Sequence, residues 1–262
     1  MSDPAPELLY EVRDRIGLVT FNRPQARNAL TFAMYDRLSE ICRSMPTDGS
    51  VAALVITGAG GKAFAAGTDI AQFKTFSTPE QGIAYEERAD EIFASIEACP
   101  VPTIAAIAGA CTGGGAGIAG CCDMRIAAAD MKFGFPIART LGNCLSAATL
   151  ERLVALMGQA RVVDIMFTSR LIGADEARSI GLVTEIVPDH DAAVARAMAL
   201  AEQLKGHAPL TMRVTKELLR RLRNNRTRVD DHDLVAMIYT SADFREGMDA
   251  FLKKRPPQWK GR

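Results

Sequence analysis

Net charge is absent from this sequence: Lys plus Arg number 31, and so do Asp plus Glu. A chain without an overall field lacks the electrostatic footprint of a dedicated nucleic-acid binder. Histidine is scarce, at 3 in 262 residues, and none of the 6 cysteines belongs to a CxxC pair. His190, His207 and His232 make no zinc-type spacing with Cys42, Cys99, Cys111, Cys121, Cys122 or Cys144, so no metal site is expected. Adjacent Cys121 and Cys122 lie in an apolar stretch and read as small core residues, reduced thiols of a cytoplasmic protein. The opening residues carry Asp3 and Glu7 and no basic–apolar signal, which again gives a cytoplasmic expectation.

Charge is missing locally over 98–122, a stretch long enough to resemble a membrane helix. Pro100, Pro102 and the consecutive Gly113, Gly114 and Gly115 argue against one continuous helix. The segment reads as a buried strand, a glycine loop and a short buried helix, and no membrane partner is expected.

What is present is an ordinary globular balance, 48% apolar and 24% charged. β-rich runs at 8–12 and 17–21 flank Asp14-Arg15 as a hairpin. Apolar residues at 34, 38, 41, 42 and 45 make a helical stripe that Thr31 or Asn28 could cap. Strands are predicted at 51–57, 103–108, 124–128, 131–133 and 184–187, and helices at 80–98, after 115, and through most of the chain beyond 146. No fixed repeat period is visible. The pattern predicts an α/β core over 1–200 and a helical region over 201–262.

Two familiar motifs fail. Gly115-x-Gly117-x-x-Gly120 matches a dinucleotide fingerprint, but Arg139 and Thr140 stand where its acidic ribose reader belongs. Gly60-Gly61-Lys62 lacks the first glycine of a P-loop and the Ser or Thr after lysine. The basic run Arg213, Lys216, Arg220, Arg221, Arg223, Arg226, Arg228 spreads around a helix and reads as a solvated face, with an RNA site as the weaker alternative.

Two glycine-rich segments are more informative. Ala65-Ala66-Gly67-Thr68-Asp69 and Gly113-Gly114-Gly115 each follow a predicted strand and precede a predicted helix start. Small residues allow close backbone approach, and first-turn N–H groups favour an anion or a developing oxyanion. These residues carry a resemblance. Ala63 to Ile70, Gly109 to Gly115 with Asp123, Phe21-Asn22-Arg23-Pro24 with Asn28-Ala29-Leu30, Gly181-Leu182-Val183, and Arg245-Glu246-Gly247 through Phe251 resemble the enoyl-CoA hydratase/isomerase (crotonase) superfamily. The likeness runs in order from about residue 8 to 260.

The resemblance implies a crotonase-like spiral of ββα units with a C-terminal helical subdomain, assembled as a homotrimer or a dimer of trimers. It implies an acyl-CoA thioester as ligand, with coenzyme A entering as part of the substrate and no metal or separate redox cofactor. Two peptide N–H groups would hold the thioester carbonyl as an enolate forms, and the carry-over assigns them to Ala66 and Gly114. Gly67, Thr68 and Asp69 would line the same site, and Arg27, Ala29, Phe251 and Lys254 would lie near the CoA moiety.

The chain departs from that pattern where hydratases place water. The first expected glutamate falls on Gly117, and the second, after Phe133-Gly134-Phe135-Pro136, falls on Ile137. Neither residue can move a proton, and such groups contribute about 10²–10⁴ each. Arg139 and Ser146, in a segment with Asn143 and Cys144, are the candidates for a replacement role. Arg139 could hold an acyl carboxylate, as a decarboxylase or lyase would need, or could form a subunit contact. Asn143, Cys144 and Ser146 could equally shape and cap a loop. Asp69 reads as a helix cap, and Glu86 and Glu87 as a solvated helix face. Four activities stay open at this level: a divergent hydratase or isomerase, a decarboxylase or lyase, a hydrolase, and an acyl-CoA binder without turnover.

Overall fold

The computed structural model describes residues 6–74, 76–224 and 232–259. Its elements in chain order are β1 (Leu8–Arg13), β2 (Ile16–Phe21), α1 (Phe32–Arg43), β3 (Ala53–Gly58), β4 (Ala63–Ala65), α2 (Pro79–Glu97), β5 (Thr103–Ile107), β6 (Ala110–Thr112), α3 (Gly114–Cys121), β7 (Met124–Ala128) and β8 (Lys132–Gly134). There follow α4 (Ala147–Met157), α5 (Gln159–Thr168), β9 (Ile172–Gly173), α6 (Ala174–Ser179), β10 (Glu185–Val187), α7 (His190–Leu204), α8 (Pro209–Asn224), α9 (His232–Tyr239) and α10 (Ala242–Leu252). Short 3-10 turns stand at Pro24–Ala26, Ile70–Phe73 and Pro136–Ala138.

The predicted hairpin forms, with Asp14 (φ 46°) and Arg15 (φ 62°) both left-handed, the two-residue turn that matches strand twist. From β2 onward the larger sheet is parallel, in the order β1-β2-β3-β5-β7-β10. A second sheet runs β4-β6-β8-β9. The chain crosses from the first sheet to the second at β3/β4, β5/β6 and β7/β8, and a helix follows each crossing. These are the ββα turns of the expected spiral, unequal in length, which is why no period shows in the sequence.

β3 and β5 are buried along their whole length, because the main core covers one face and α7 the other. That double burial explains their unbroken apolar runs. α7 lays Ala193, Ala197, Leu200 and Ala201 against Ile16, Val55, Ile104 and Ile126. It runs past residue 200, so the helices that leave the core begin with α8. The uncharged 98–122 stretch resolves into β5, β6 and the eight-residue α3. Among the described residues no helix is long and apolar enough to cross a membrane.

Thr31, not Asn28, caps α1, its hydroxyl accepting the Met34 N–H at 3.3 Å. Asn28 is instead fully buried under the first glycine loop. It accepts from Arg23 N and donates to the carbonyls of Ala59 (3.0 Å) and Ala63 (2.8 Å), so it fixes the loop that leads into β4.

Candidate active site

Each glycine loop leaves a short strand of the second sheet. Gly67, just past β4, has φ +104°, and Gly113, just past β6, has φ +53°, conformations in which a side chain is strained. The two face each other: a Cβ built on Gly113 would lie 3.4 Å from Gly67 Cα. The residues after them are also neighbours, since a Cβ on Gly114 would lie 3.3 Å from Thr68 Oγ1.

An account of the loop N–H groups corrects the assignment of Ala66. Its N–H already donates to the Arg27 carbonyl at 3.1 Å, and the Gly113 N–H to the Gly134 carbonyl at 3.0 Å. The N–H groups of Thr68 and Gly114 meet no acceptor among the described residues. Thr68 forms an isolated bridge with Leu30 through the Gly67 carbonyl and the Asp69 N–H, which leaves its own N–H on the opposite side. Gly114 opens α3, so its N–H belongs to the first turn that a helix cannot satisfy internally. The N–H groups of Thr68 and Gly114, on the residues that follow the two positive-φ glycines, are therefore open, and the first stands two residues along from the expected donor.

Both border a cavity of about 670 Å³. Its walls include Phe73, Phe93, Phe135, Ile137 and Leu145, and Arg27, Ala29, Ala66, Gly67, Asp69, Lys74 and Phe251 also line it. Arg27 and Lys74 are exposed cations. Inside, the Tyr35 and Tyr85 hydroxyls each lie 2.9 Å from Thr68 Oγ1. Burial pushes both phenols above the usual tyrosine range, so both stay neutral.

The two positions at which the resemblance led one to expect glutamates, Gly117 and Ile137, differ. Ile137 is buried and lines the cavity. At Gly117 the space is already filled, because a Cβ there would meet the Phe93 ring at 2.4 Å. Asp69 acts as the expected cap, accepting the Ala71 N–H at 3.1 Å while its other oxygen pairs with Arg23 at 3.0 Å.

Glu86 does not lie on a solvated face. It is 6% exposed and lines the cavity. Its carboxylate accepts the Tyr239 hydroxyl at 2.7 Å and the Ser146 N–H at 3.1 Å. Glu87 is exposed and pairs with His232 at 3.1 Å, as a surface residue would. Asn143 lines the cavity beside Glu86 and Tyr239, its Nδ2 3.3 Å from the Cys144 carbonyl and 3.5 Å from the Tyr239 hydroxyl, while its Oδ1 is buried without a hydrogen-bond partner among the described residues.

The other candidates fall outside. Ser146 caps α4: its hydroxyl accepts the Thr149 N–H at 3.1 Å and donates to Asp90 at 2.9 Å, away from the cavity lining. Arg139 is exposed and is not part of that lining, and the same holds for Lys254. Within the described part of the basic run, Lys216 pairs with Asp123, Arg220 and Arg221 with Glu217, and Arg223 with Glu97. Those two arginines hold the Glu217 carboxyl down at about 2. Arg226 and Arg228 lie outside the described residues. No metal-binding group of His, Cys, Asp or Glu occurs among the described residues.

A two-sheet spiral with a cavity beneath paired glycine loops is the arrangement that the resemblance implied, and the comparisons agree. Residues 11–262 match the model of the enoyl-CoA hydratase/isomerase family, and the chain belongs to that family. It is 31% identical to the 2,3-dehydroadipyl-CoA hydratase of Escherichia coli K12 over 98% of this chain and 99% of that one. It is 32% identical to the crotonyl-CoA hydratase of Syntrophomonas wolfei, over 95% of each. Among solved structures, an enoyl-CoA hydratase/carnithine racemase from Magnetospirillum magneticum is 34% identical with a TM-score of 0.79, covering 99% of this chain and 97% of its own. A methylmalonyl-CoA decarboxylase is 25% identical with a TM-score of 0.86, covering 98% and 99%.

Proposed function

We propose that this protein is an acyl-CoA enzyme that activates the carbon beside the thioester carbonyl, holding the carbonyl oxygen between the N–H groups of Thr68 and Gly114. The observation that carries the reading is the pair of unsatisfied N–H groups, each following a left-handed glycine, at one wall of the cavity. Such donors, fixed before the charge develops, stabilise an enolate more than the ground-state thioester. Arg27 and Lys74, both exposed on the cavity lining, suit the phosphates of coenzyme A. Coenzyme A enters as part of the substrate, and no other cofactor is needed for this step.

Hydration by the paired-glutamate route is disfavoured, because Gly117 and Ile137 stand in those places. A decarboxylase reading has the likeness to methylmalonyl-CoA decarboxylase in its favour. Its expected carboxylate holder, Arg139, is however off the cavity, and the Glu86 carboxylate inside would repel a second one. An acyl group without a carboxylate fits this charge arrangement better.

The test is a comparison of butyryl-CoA with S-butyl-CoA, which lacks only the carbonyl oxygen. Two hydrogen bonds of about 0.5–1.5 kcal/mol each make the thioester bind roughly 5–150-fold more tightly in calorimetry. Equal affinities would remove the reading.

We also propose that the chain self-associates, as a trimer or a dimer of trimers. On α8, Leu210, Val214, Leu218 and Leu222 recur every four residues and are more than half exposed, with Leu219 beside them. An apolar stripe of that kind supports burial against another copy. Sedimentation velocity should return a multiple of the 28.2 kDa chain, and replacing Leu218 and Leu222 with glutamate should shift it to monomer. A wild-type monomer would reject the assembly.

A further inference from the structure

The paired N–H groups polarise a thioester, but they move no proton, and both family glutamates are gone. Of the described side chains lining the cavity, only Asp69 and Glu86 are carboxylic acids, and none is histidine or cysteine. Asp69 faces a charged partner, Arg23, besides its cap on Ala71, whereas Tyr239 and the Ser146 N–H bring no charge to Glu86. The lining tyrosines, Tyr35 and Tyr85, are pushed toward the neutral phenol by burial. We infer that Glu86 is the catalytic acid–base of this cavity, removing and returning a proton at C2 of the bound acyl group. The inference rests on the thioester reading above.

The geometry of α2 carries the argument. Glu86, Ala89 and Phe93 stand at i, i+3 and i+7 and therefore share one face, and all three line the cavity. The same face that inserts the Phe93 ring beside Gly117, where the first glutamate of a hydratase would start, also inserts a carboxylate two turns earlier. The acid function has moved from α3 to α2. Tyr239, from α9, and the Ser146 N–H, at the start of α4, hold the two carboxylate oxygens from either side, so the group is oriented by two other elements. Nearby, the unpartnered Asn143 Oδ1 makes this end of the cavity polar where an acyl tail alone would call for carbon.

In the step, the C2–H bond breaks and its proton passes to a Glu86 oxygen. The electron pair moves into the carbonyl, giving an enolate whose oxygen accepts the Thr68 and Gly114 N–H bonds. Return of a proton from Glu86 to C2 restores the thioester. In heavy water the proton held by Glu86 exchanges with solvent deuterium before the return step, so the cycle replaces hydrogen by deuterium at C2, whatever reaction follows with the physiological substrate.

The experiment incubates the full-length protein with butyryl-CoA in deuterium oxide and follows the mass gain at C2. Wild type should exchange. Glu86→Gln, nearly the same in shape, should slow exchange by about 10²–10⁴ with butyryl-CoA affinity unchanged. Glu86→Asp should recover part of the rate, and Glu87→Gln should match wild type. Tyr239→Phe should slow exchange less than Glu86→Gln, since it loosens the carboxylate without removing it. Exchange by Glu86→Gln at the wild-type rate would overturn the inference. So would a wild type that prefers butyryl-CoA over S-butyl-CoA yet exchanges nothing, and that result would leave the thioester reading intact. Failure to prefer butyryl-CoA would remove the thioester reading and this inference with it.

Discussion

Replacing Gly114 with alanine should lower the rate of C2 exchange by about 10²–10³, the loss typical when one oxyanion donor is displaced. The cause is local. A Cβ at 114 would lie 1.7 Å from the Tyr35 hydroxyl oxygen and 3.0 Å from Cζ of the same ring. No backbone adjustment within a close-packed interior absorbs an overlap of that size. Tyr35 must therefore move, and its hydroxyl is hydrogen-bonded to Thr68 Oγ1 at 2.9 Å, on the residue that carries the other donor. One added methyl thus disturbs both N–H groups at once, with an overpacking cost of about 1–3 kcal/mol in stability. Repeating the substitution with Tyr35→Phe removes the hydroxyl from the overlap and should restore part of the rate. Gly114→Pro adds loss of the N–H to the same overlap, so it should be at least as damaging as alanine. An alanine variant as active as wild type would mean that Gly114 is not pressed against Tyr35 when substrate is bound.

The second large effect is expected from an attempt to rebuild a hydratase. Gly117→Glu should destabilise the fold by about 3 kcal/mol or more, through overpacking and an unpaired buried carboxylate. For a chain of about this size that is roughly 6–12 °C of Tm. It should yield no hydration of crotonyl-CoA, measured as loss of the enoyl absorbance. A Cβ at 117 would lie 2.4 Å from Phe93 Cζ and 2.9 Å from both adjoining ring carbons. Phe93 is buried and lines the cavity, so a displaced ring would intrude on the acyl site. Adding Phe93→Ala and Ile137→Glu empties the first space and supplies the second carboxylate. That triple variant should therefore tolerate the glutamate at 117 better than the single one. A single Gly117→Glu protein with wild-type Tm and new hydratase activity would show that Phe93 does not occupy the glutamate's place.

Both expectations depend on α2, and this helix shows how far the sequence could be read. Its extent and its inward residues Ile92, Phe93 and Ile96 follow from apolar periodicity. The same periodicity implied Glu86 as well. A residue seven positions before an inward phenylalanine lies on the same face, whatever its charge. The bias against burying a carboxylate concealed it. Only the tertiary structure supplies the donors that make its burial tolerable, among them Tyr239 from a helix 153 positions away and the Ser146 N–H. Ser146 itself attracted notice for its hydroxyl, which is a cap on α4, whereas its backbone N–H is what holds the Glu86 carboxylate.

The sequence by itself determined the family, the larger sheet, the hairpin and the helices, because long apolar runs and turn residues are local signals. It also put Gly117 and Ile137 at the two positions where the resemblance leads one to expect glutamates, since identity at a position needs no coordinates. The three-residue strands β4, β6 and β8 were not legible as a second sheet, because so short a run carries no periodicity and is fixed by its partners. The choice of donor was likewise tertiary. Ala66 and Thr68 stand on either side of one glycine, and only the fold brings the Arg27 carbonyl onto the first N–H while leaving the second open. Chemistry at this site depends on which polar groups remain unpaired after folding, and pairing between distant segments is a property of the packed chain.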